Sequence, residues 1–315
     1  MHSRRVRPLV WLLVLLSAIP LMALADEHGW GYLMDRLVAD GVDREQVTQT
    51  FRDPRIARFT ELNFSPYRAR EPRTWYRRFL RPASVAAARA CRTRYRDDFT
   101  NAERQHGVPA AVITAILFVE SSCGGNTGSH LVLARLARLA MANAPDNLQR
   151  VVDRHADANG PLSPALLLQL RERATELERM FYPEVRAVFT IAERAGVAPL
   201  DIRGSSAGAF GFPQFLPTSY LQYGIDADAD GHVNLDDPAD AIASCGYYLA
   251  QHGWRPGLSR AERRGVIWQY NHSEAYVDAI LNLAARIDRA PVPGSAVGAK
   301  KERTKHRSRR HAAAG

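Results

Sequence analysis

Apolar side chains recur along most of the chain at the three- and four-residue spacing of a helix that buries one face. Clean alternation of apolar and polar residues, which is typical of a half-buried strand, is scarce. The spacing predicts helices over residues 28–40, 43–51, 84–106, 108–122, 129–145, 163–196, 237–252 and 260–288, of which 163–196 forms one or two. Asp43 and Ser84 are the expected N-caps of the second and third helices. The pattern therefore predicts a mainly α fold.

Three segments interrupt the helical pattern. Residues 52–82 are rich in Pro, Arg and aromatic side chains, which predicts an irregular, ordered arm with a short helix near 55–62. Residues 198–218 contain several Gly, Ser and Pro and predict a loop. From residue 290 to residue 315, Pro, Gly, Ala and basic residues predict a disordered basic tail.

The N-terminus has the pattern of a secretory signal peptide. A short cationic region is followed by an apolar run and by the small-residue cleavage site Ala23-Leu24-Ala25. An uncleaved membrane anchor is the alternative, but the run is short for a spanning helix and contains Pro20. We therefore expect residues 1–25 to be removed and the mature protein to be soluble in the periplasm, with no transmembrane segment.

The formal net charge is +9, which taken alone points to a polyanion such as nucleic acid. The arginines before Pro8 and the basic tail hold that charge, so the body between them is close to neutral. This distribution argues against a nucleic-acid partner, although the tail could touch anionic envelope polymers or a membrane surface.

The chain has three cysteines, and an exported protein meets oxidising conditions. Cys91 and Cys123 could pair, while Cys245 lies in an apolar helical stretch where a buried thiol is the simplest interpretation. The sequence does not decide the pairing, and the spacings do not resemble a metal site.

Glu120 is the main candidate for acid–base chemistry. It lies near the C-terminal end of an apolar helix, where desolvation and the negative end of the helix dipole both raise the pKa of a carboxyl group. A raised pKa suits a general acid near neutral pH. A surface Glu at a helix end remains the alternative.

Residues 204–220, GSSAGAFGFPQFLPTSY, alternate small residues with aromatic ones and contain a single long amide, Gln214. Such a run lets the backbone approach a sugar, which aromatic rings and an amide can then bind. A structural loop between helices is at least as plausible from this segment alone.

Residues 226–237, DADADGHVNLDD, match the calcium loop in which Asp at positions 1, 3 and 5 precedes Gly at position 6. An acidic solvated loop is the less favoured alternative. Position 12 is an Asp instead of the longer Glu, so a residue further along is an alternative last ligand. The predicted structural calcium ligands are Asp226, Asp228, Asp230, the backbone carbonyl of His232, and Asp237 or Asp240.

Residues 267–277 carry Tyr270, Asn271 and Tyr276, which could line a cleft; aromatic residues in a helix core are the alternative interpretation of that stretch alone. His272 fits a surface hydrogen-bonding role better than a metal ligand or base. The motifs of P-loops, zinc proteases and dinucleotide-binding folds are missing from the sequence.

Taken together, residues 108–128, 204–254 and 270–277 resemble the lytic murein transglycosylase B family, which is the MltB/SltB type of glycoside hydrolase family 103. The order of Glu120, the Pro-Gln-Phe run, the calcium loop, HGW and YNHS carries this resemblance. It implies a lysozyme-like core over about 84–289, an N-terminal helical arm over 26–83, and a catalytic region over 26–289.

The resemblance implies cleavage of the β-1,4 bond between N-acetylmuramic acid and N-acetylglucosamine in peptidoglycan. Glu120 would protonate the linking oxygen and then, as a base, help the muramic acid C6 hydroxyl to form a 1,6-anhydro sugar. It implies glycan strands as partner, cell-wall synthesis or remodelling proteins as further candidates, calcium in the loop, and no organic cofactor. The implied glycan-binding residues are Ser205, Gln214, Phe215, Tyr248, Tyr270, Asn271 and Tyr276.

The chain departs from the family pattern around the expected acid, where it reads Val-Glu-Ser-Ser-Cys-Gly, and over 142–200, which is longer than usual. A lysozyme-type hydrolase on the same fold and a non-catalytic peptidoglycan-binding protein are the alternative functions.

Overall fold

The structure, a computed structural model, describes residues 28–68 and 71–289. The predicted signal peptide and basic tail lie outside these residues. The α-helices are α1 Gly31–Ala39, α2 Arg44–Arg52, α3 Pro82–Arg94, α4 Arg96–His106, α5 Ala110–Ser121, α6 Val132–Ala140, α7 Pro145–Asn159, α8 Pro164–Ala195, α9 Pro217–Tyr223, α10 Pro238–Gln251, α11 Arg260–Tyr270 and α12 Glu274–Asp288. Short 3-10 helices span Arg73–Leu80 and Met141–Asn143.

Strands are confined to one short antiparallel pair within the described ranges. The strand β1, His130–Leu131, pairs with β2, Arg203–Gly204, and His130 lies opposite Gly204. The predicted mainly α fold is therefore confirmed. In the part of the chain that the structure describes, no helix is both long and apolar enough to cross a membrane.

The chain forms two compact units. The first contains the described residues of Met1–Arg70 and Gly124–Cys245, and the second contains those of Glu71–Cys123 and Gly246–Gly315. The proposed boundary between an arm and a lysozyme-like core stays a prediction.

In the first unit, α8 is the central helix and packs against α6, α7 and α9. Ser163 caps it by accepting a hydrogen bond from the backbone N–H of Leu166, and Pro164 begins it with a preset φ angle. The apolar face of α8 is fully buried at Leu170 and Val188, so this helix forms part of the core of the unit.

In the second unit, α5 is the central helix. Every residue from Ala111 to Phe118 is buried, and α3, α4 and α12 pack around it. The 3-10 helix Arg73–Leu80 packs against α3 and α12. A disulfide between Cys91 on α3 and Cys123 fixes the chain just after α5, which settles the pairing that the sequence left open.

The predicted helix over 84–106 is wrong in two respects. It is divided at Tyr95 into α3 and α4, and Ser84 is not its N-cap. The helix begins earlier, at Pro82, because proline presets the φ angle of a first turn. The Ser84 hydroxyl instead donates to the backbone carbonyl of Arg78.

Other predicted boundaries also differ. The short helix near 55–62 is not formed, and the arm instead contains the 3-10 helix at Arg73–Leu80. The segment 260–288 is interrupted at Asn271–Ser273, because the Ser273 side chain caps a new helix by accepting from the backbone N–H of Tyr276. Helix α7 was missed because its composition is largely polar.

Candidate active site

Glu120 lies in the last turn of α5, where the buried helix reaches a left-handed turn. Ser122 and Cys123 both have φ of 55°, and their N–H groups donate to the carbonyls of Phe118 and Leu117 at 3.0 Å. These bonds satisfy carbonyls that a helix end leaves without partners. The turn and the disulfide at Cys123 together fix the backbone next to Glu120, which is itself partly exposed.

The carboxyl group of Glu120 is held by a tyrosine from α12. The Tyr276 hydroxyl donates a hydrogen bond of 2.6 Å to Glu120 Oε1. Burial raises the pKa of Glu120 to about 7, although the Tyr276 bond lowers it and the charge of Glu71 adds a smaller rise. A substantial fraction of Glu120 is therefore protonated at neutral pH, as a general acid requires.

The other predicted residues of the second unit extend from this pair as a row of aromatic rings. Tyr270 stacks on Tyr276 with centroids 6.3 Å apart, and Tyr248 meets Tyr270 edge-on at 4.9 Å. Asn271 ends α11 and is partly exposed. The structure therefore brings Tyr248, Tyr270 and Tyr276 into a row that ends at Glu120, and Asn271 directly follows Tyr270 in the chain.

These residues differ in what they present to solvent. Tyr276 is 1% exposed, so it supports Glu120 more than it offers a surface to a ligand. Tyr248 is also buried, and its hydroxyl donates to the carbonyl of Gln269 at 2.7 Å. The exposed His272 packs its ring edge-on to Trp268, consistent with the surface role expected for it.

Sequence reasoning missed two residues of this site, Glu71 and Tyr76. The Tyr76 hydroxyl donates to Glu71 Oε2 at 2.6 Å, and the Tyr76 ring packs edge-on to Tyr276 at 5.9 Å. Both residues lie in the arm of Pro, Arg and aromatic residues, where no periodic pattern indicates which side chain faces the interior. The cluster of aromatic residues there was the only available signal.

Ser205, Gln214 and Phe215 belong to the first unit, in a segment of tight turns. Gln214 has φ of 52°, and its amide donates to the carbonyls of Gly211 and Thr127 at 2.8 and 3.1 Å. The Ser205 hydroxyl accepts a hydrogen bond from the N–H of Ala209. The side chains of Ser205 and Gln214 are partly exposed. Phe215 is 3% exposed and is thus a core residue of the segment.

The acidic loop brings together three of the predicted metal ligands. One carboxylate oxygen each from Asp226, Asp228 and Asp240 lies within 4.8 Å of the others. Asp226 Oδ1 is buried and has no hydrogen-bond partner among residues 28–68 and 71–289. Asp240 is also buried, and its two oxygens accept from the N–H groups of Ala227 and Asn234, which closes the loop.

The remaining predicted ligands are placed differently. Asp237 Oδ1 accepts at 2.7 Å from the N–H of Ala239, so it caps the start of α10 and stays outside the cluster. Asp230 Oδ1 accepts from the N–H of His232, whose side chain is exposed. Of the two residues considered for the last ligand, the structure places Asp240 in the cluster and Asp237 outside it.

Comparisons with known proteins agree with this architecture. The family defined by a transglycosylase SLT domain matches residues 26–263. The membrane-bound lytic murein transglycosylase B of Escherichia coli (strain K12) is 30% identical over 237 residues, which are 71% of this chain and 57% of that protein. The chain thus spans little more than half the length of this curated relative.

Two solved structures are similar in fold. The soluble lytic transglycosylase SltB1 from Pseudomonas aeruginosa superposes with a TM-score of 0.62 and 25% identity, covering 82% of this chain and 98% of that one. The Escherichia coli lytic transglycosylase SLT35 in complex with calcium has a TM-score of 0.60 and 23% identity, covering 82% and 92%. The resemblance found in the sequence is confirmed, and the chain belongs to the transglycosylase SLT domain family.

Proposed function

We propose that the protein is a lytic transglycosylase that cleaves the β-1,4 bond between N-acetylmuramic acid and N-acetylglucosamine in peptidoglycan and forms 1,6-anhydro-N-acetylmuramic acid. The observation that carries this proposal is a carboxyl group at the end of a buried helix, with a pKa of about 7, held by one tyrosine. Membership of the transglycosylase SLT domain family supports it.

In the proposed reaction, protonated Glu120 donates its proton to the oxygen that links the two sugars, and the bond to C1 of the muramic acid breaks. Ionised Glu120 then accepts the proton of the C6 hydroxyl as that oxygen attacks C1. The same carboxyl group thus serves as acid and base, and no water is consumed. Because the pKa is about 7, both protonation states are accessible at neutral pH.

Glycan binding is proposed for the exposed or partly exposed predicted residues. Aromatic faces favour sugar rings, and amide and hydroxyl groups bind sugar hydroxyl or acetamido groups. On the second unit these are Tyr270 and Asn271, and on the first unit they are Ser205 and Gln214. The buried Tyr248 and Tyr276 are proposed to support the surroundings of Glu120 in the second unit, and the buried Phe215 is proposed to support the Gly-rich segment in the first unit.

The test is digestion of purified peptidoglycan, with mass spectrometry of the products. The full chain should release fragments that are lighter by one water than hydrolytic products, and Glu120→Gln should release none. Glu45→Gln, the same change at an exposed position of α2, is the matched control and should leave activity intact. Reducing-end products would identify a hydrolase, and binding of peptidoglycan without products would indicate a wall-binding protein.

A structural calcium ion is proposed for the acidic loop. Calcium prefers carboxylate and carbonyl oxygens, and the buried, unpartnered Asp226 Oδ1 next to Asp228 and Asp240 is the observation that fits it. The bound ion would offset the repulsion among these carboxylates, with the Asp230 side chain and the His232 carbonyl as further ligands. The relative SLT35 was solved in complex with calcium.

Calcium should therefore raise the unfolding temperature of the protein, and a chelator should reverse that rise. Asp226→Asn should abolish the calcium-dependent rise. Asp236→Asn, at an exposed position of the same loop and outside the cluster, should preserve it. Equal calcium responses of both variants would contradict the proposed ligands.

Export to the periplasm with cleavage after Ala25, and a catalytic region over 26–289, are proposed from the sequence pattern. N-terminal sequencing of the protein from a periplasmic fraction tests the cleavage, and an N-terminus at Met1 would contradict it. Association with cell-wall synthesis or remodelling proteins stays a prediction.

A further inference from the structure

A second carboxylate, Glu71, lies in the same unit as Glu120 and is fixed by its own tyrosine. The Tyr76 hydroxyl donates to Glu71 Oε2 at 2.6 Å. Tyr76 also shares a side-chain hydrogen bond with Ser273, which caps the helix that carries Tyr276. Glu71 is therefore anchored to the framework that positions the expected acid.

The two carboxylate–tyrosine pairs meet through their rings. Tyr76 packs against Tyr276 with centroids 5.9 Å apart and an interplanar angle of 83°, and Tyr276 binds Glu120 Oε1 at 2.6 Å. The order of contacts is thus Glu71, Tyr76, Tyr276 and Glu120.

We propose that Glu71, held by Tyr76, is the second carboxylate of the active site and a positioning residue that keeps Glu120 protonated until the glycosidic bond breaks. This inference rests on the proposed function but adds to it, because the family resemblance implies a single acid. Glu71 does not act on the substrate in this proposal, and it works through its charge.

The charge of each carboxylate acts on the other carboxylate–tyrosine pair, in agreement with these contacts. The negative charge of Glu71 raises the pKa of Glu120, and the charge of Glu120 contributes to a raised pKa of Tyr76. Glu71 is the smallest of the three influences on Glu120, after burial and the Tyr276 hydrogen bond, so its removal should have a modest effect.

Other charged groups on the elements packed against α5 have partners elsewhere. On α12, Glu274 and Asp278 are paired with Arg264, and Asp288 is paired with Arg92 of α3. Arg89 of α3 binds backbone carbonyls at the end of α12, and Glu103 of α4 accepts from the N–H of Ala110 at the opposite end of α5. His106 of α4 packs against Tyr247. Among the described side chains, Tyr276 and Glu71 are the ones that shift the pKa of Glu120.

The experiment measures the pKa of Glu120 directly, by following the carboxyl carbons of labelled Glu side chains in NMR as the pH changes. Glu120→Gln assigns the signal. Glu71→Gln should lower the pKa of Glu120 by about half a pH unit, a modest Coulomb effect. Glu71→Ala should give the same shift, and Glu71→Asp, which keeps the charge, should restore most of the original pKa.

The pH dependence of turnover provides the second readout. In Glu71→Gln, the alkaline limb, which is the fall of kcat at high pH, should occur at a pH lower by the same half unit. This shift is a loss of about two- to three-fold in kcat near pH 7.5, with KM unchanged. Tyr276→Phe removes the bond that lowers the pKa of Glu120, so it should move the limb in the opposite direction. A merely structural role of Glu71 would lower kcat at every pH without moving the limb.

An unchanged pKa of Glu120 in both Glu71→Gln and Glu71→Ala would overturn the proposal. The NMR titration needs no substrate, so it gives this answer even if the protein does not cleave peptidoglycan. Failure of the proposed function appears separately, as an absence of anhydro products from the unmodified chain.

Discussion

Replacing Glu120 with Gln should stabilise the protein at alkaline pH. A buried carboxyl group that must ionise opposes folding, whereas a neutral amide of the same size does not. The pKa of Glu120 is raised from 4.5 to about 7, mainly by burial, so its protonated form is favoured in the folded protein. The acid of the proposed reaction thus lowers the stability of the folded protein above neutral pH.

The raised pKa fixes the size and the sign of the effect. Below pH 4.5 Glu120 is protonated in the folded and unfolded chains, so it adds no pH dependence there. Between 4.5 and about 7 only the unfolded chain has lost the proton, and stability falls as the pH rises. At about 1.36 kcal/mol per pKa unit, the total loss approaches about 3 kcal/mol above pH 7. Glu120 is partly exposed, so this figure is an upper value.

The assay is urea unfolding of the wild-type protein and of Glu120→Gln across this pH range. The difference in their free energies of unfolding should grow in favour of the variant by up to about 3 kcal/mol from acid to alkaline pH. Glu45→Gln, at an exposed position, should show no such growth. A difference that stays constant with pH would refute the raised pKa of Glu120.

Two further predictions concern stability. The disulfide between Cys91 and Cys123 closes a loop with a sequence separation of 32, so Cys91→Ala/Cys123→Ala should lower the free energy of unfolding by about 3 to 4 kcal/mol. Urea unfolding should show a much smaller loss for Cys245→Ala, which is outside the disulfide. Gly124→Ala should destabilise the protein by more than about 2 kcal/mol, because its Cβ would lie 2.0 Å from an aromatic ring at φ of +81°. Gly41→Ala, at φ of +90° with nothing within 4 Å, should cost only about 1 kcal/mol, and equal losses would contradict the steric argument.

Local patterns predicted the features that depend on consecutive residues. The apolar run of α5 predicted a buried helix with Glu120 at its end, because consecutive residues are enough to recognise both a helix and its burial. The alternation of Asp226 and Asp228 before Gly231 likewise identified the acidic loop. These predictions required no knowledge of which helices pack together.

Features that depend on distant residues were not predictable in this way. Glu71 and Tyr76 reach the surroundings of Glu120 only because the 3-10 helix packs against α12, and the sequence pattern of the arm contains no sign of that packing. The spacing left Asp237 and Asp240 as alternatives for the last ligand, and the acidic cluster contains Asp240 because Asp237 caps the start of α10. In both cases the spacing of residues did not determine which side chains come together.

The value of the Glu120 pKa matters because the proposed reaction uses this group twice. Burial and the charge of Glu71 raise the pKa, so the acid form is present when the glycosidic bond must break. The Tyr276 hydrogen bond lowers the pKa, so the ionised form is stable enough to accept the proton of the C6 hydroxyl afterwards. Either influence alone would favour one step at the expense of the other. A pKa of about 7 therefore follows from opposing contacts within one unit, and one carboxyl group, Glu120, can perform both steps only while these contacts stay in balance.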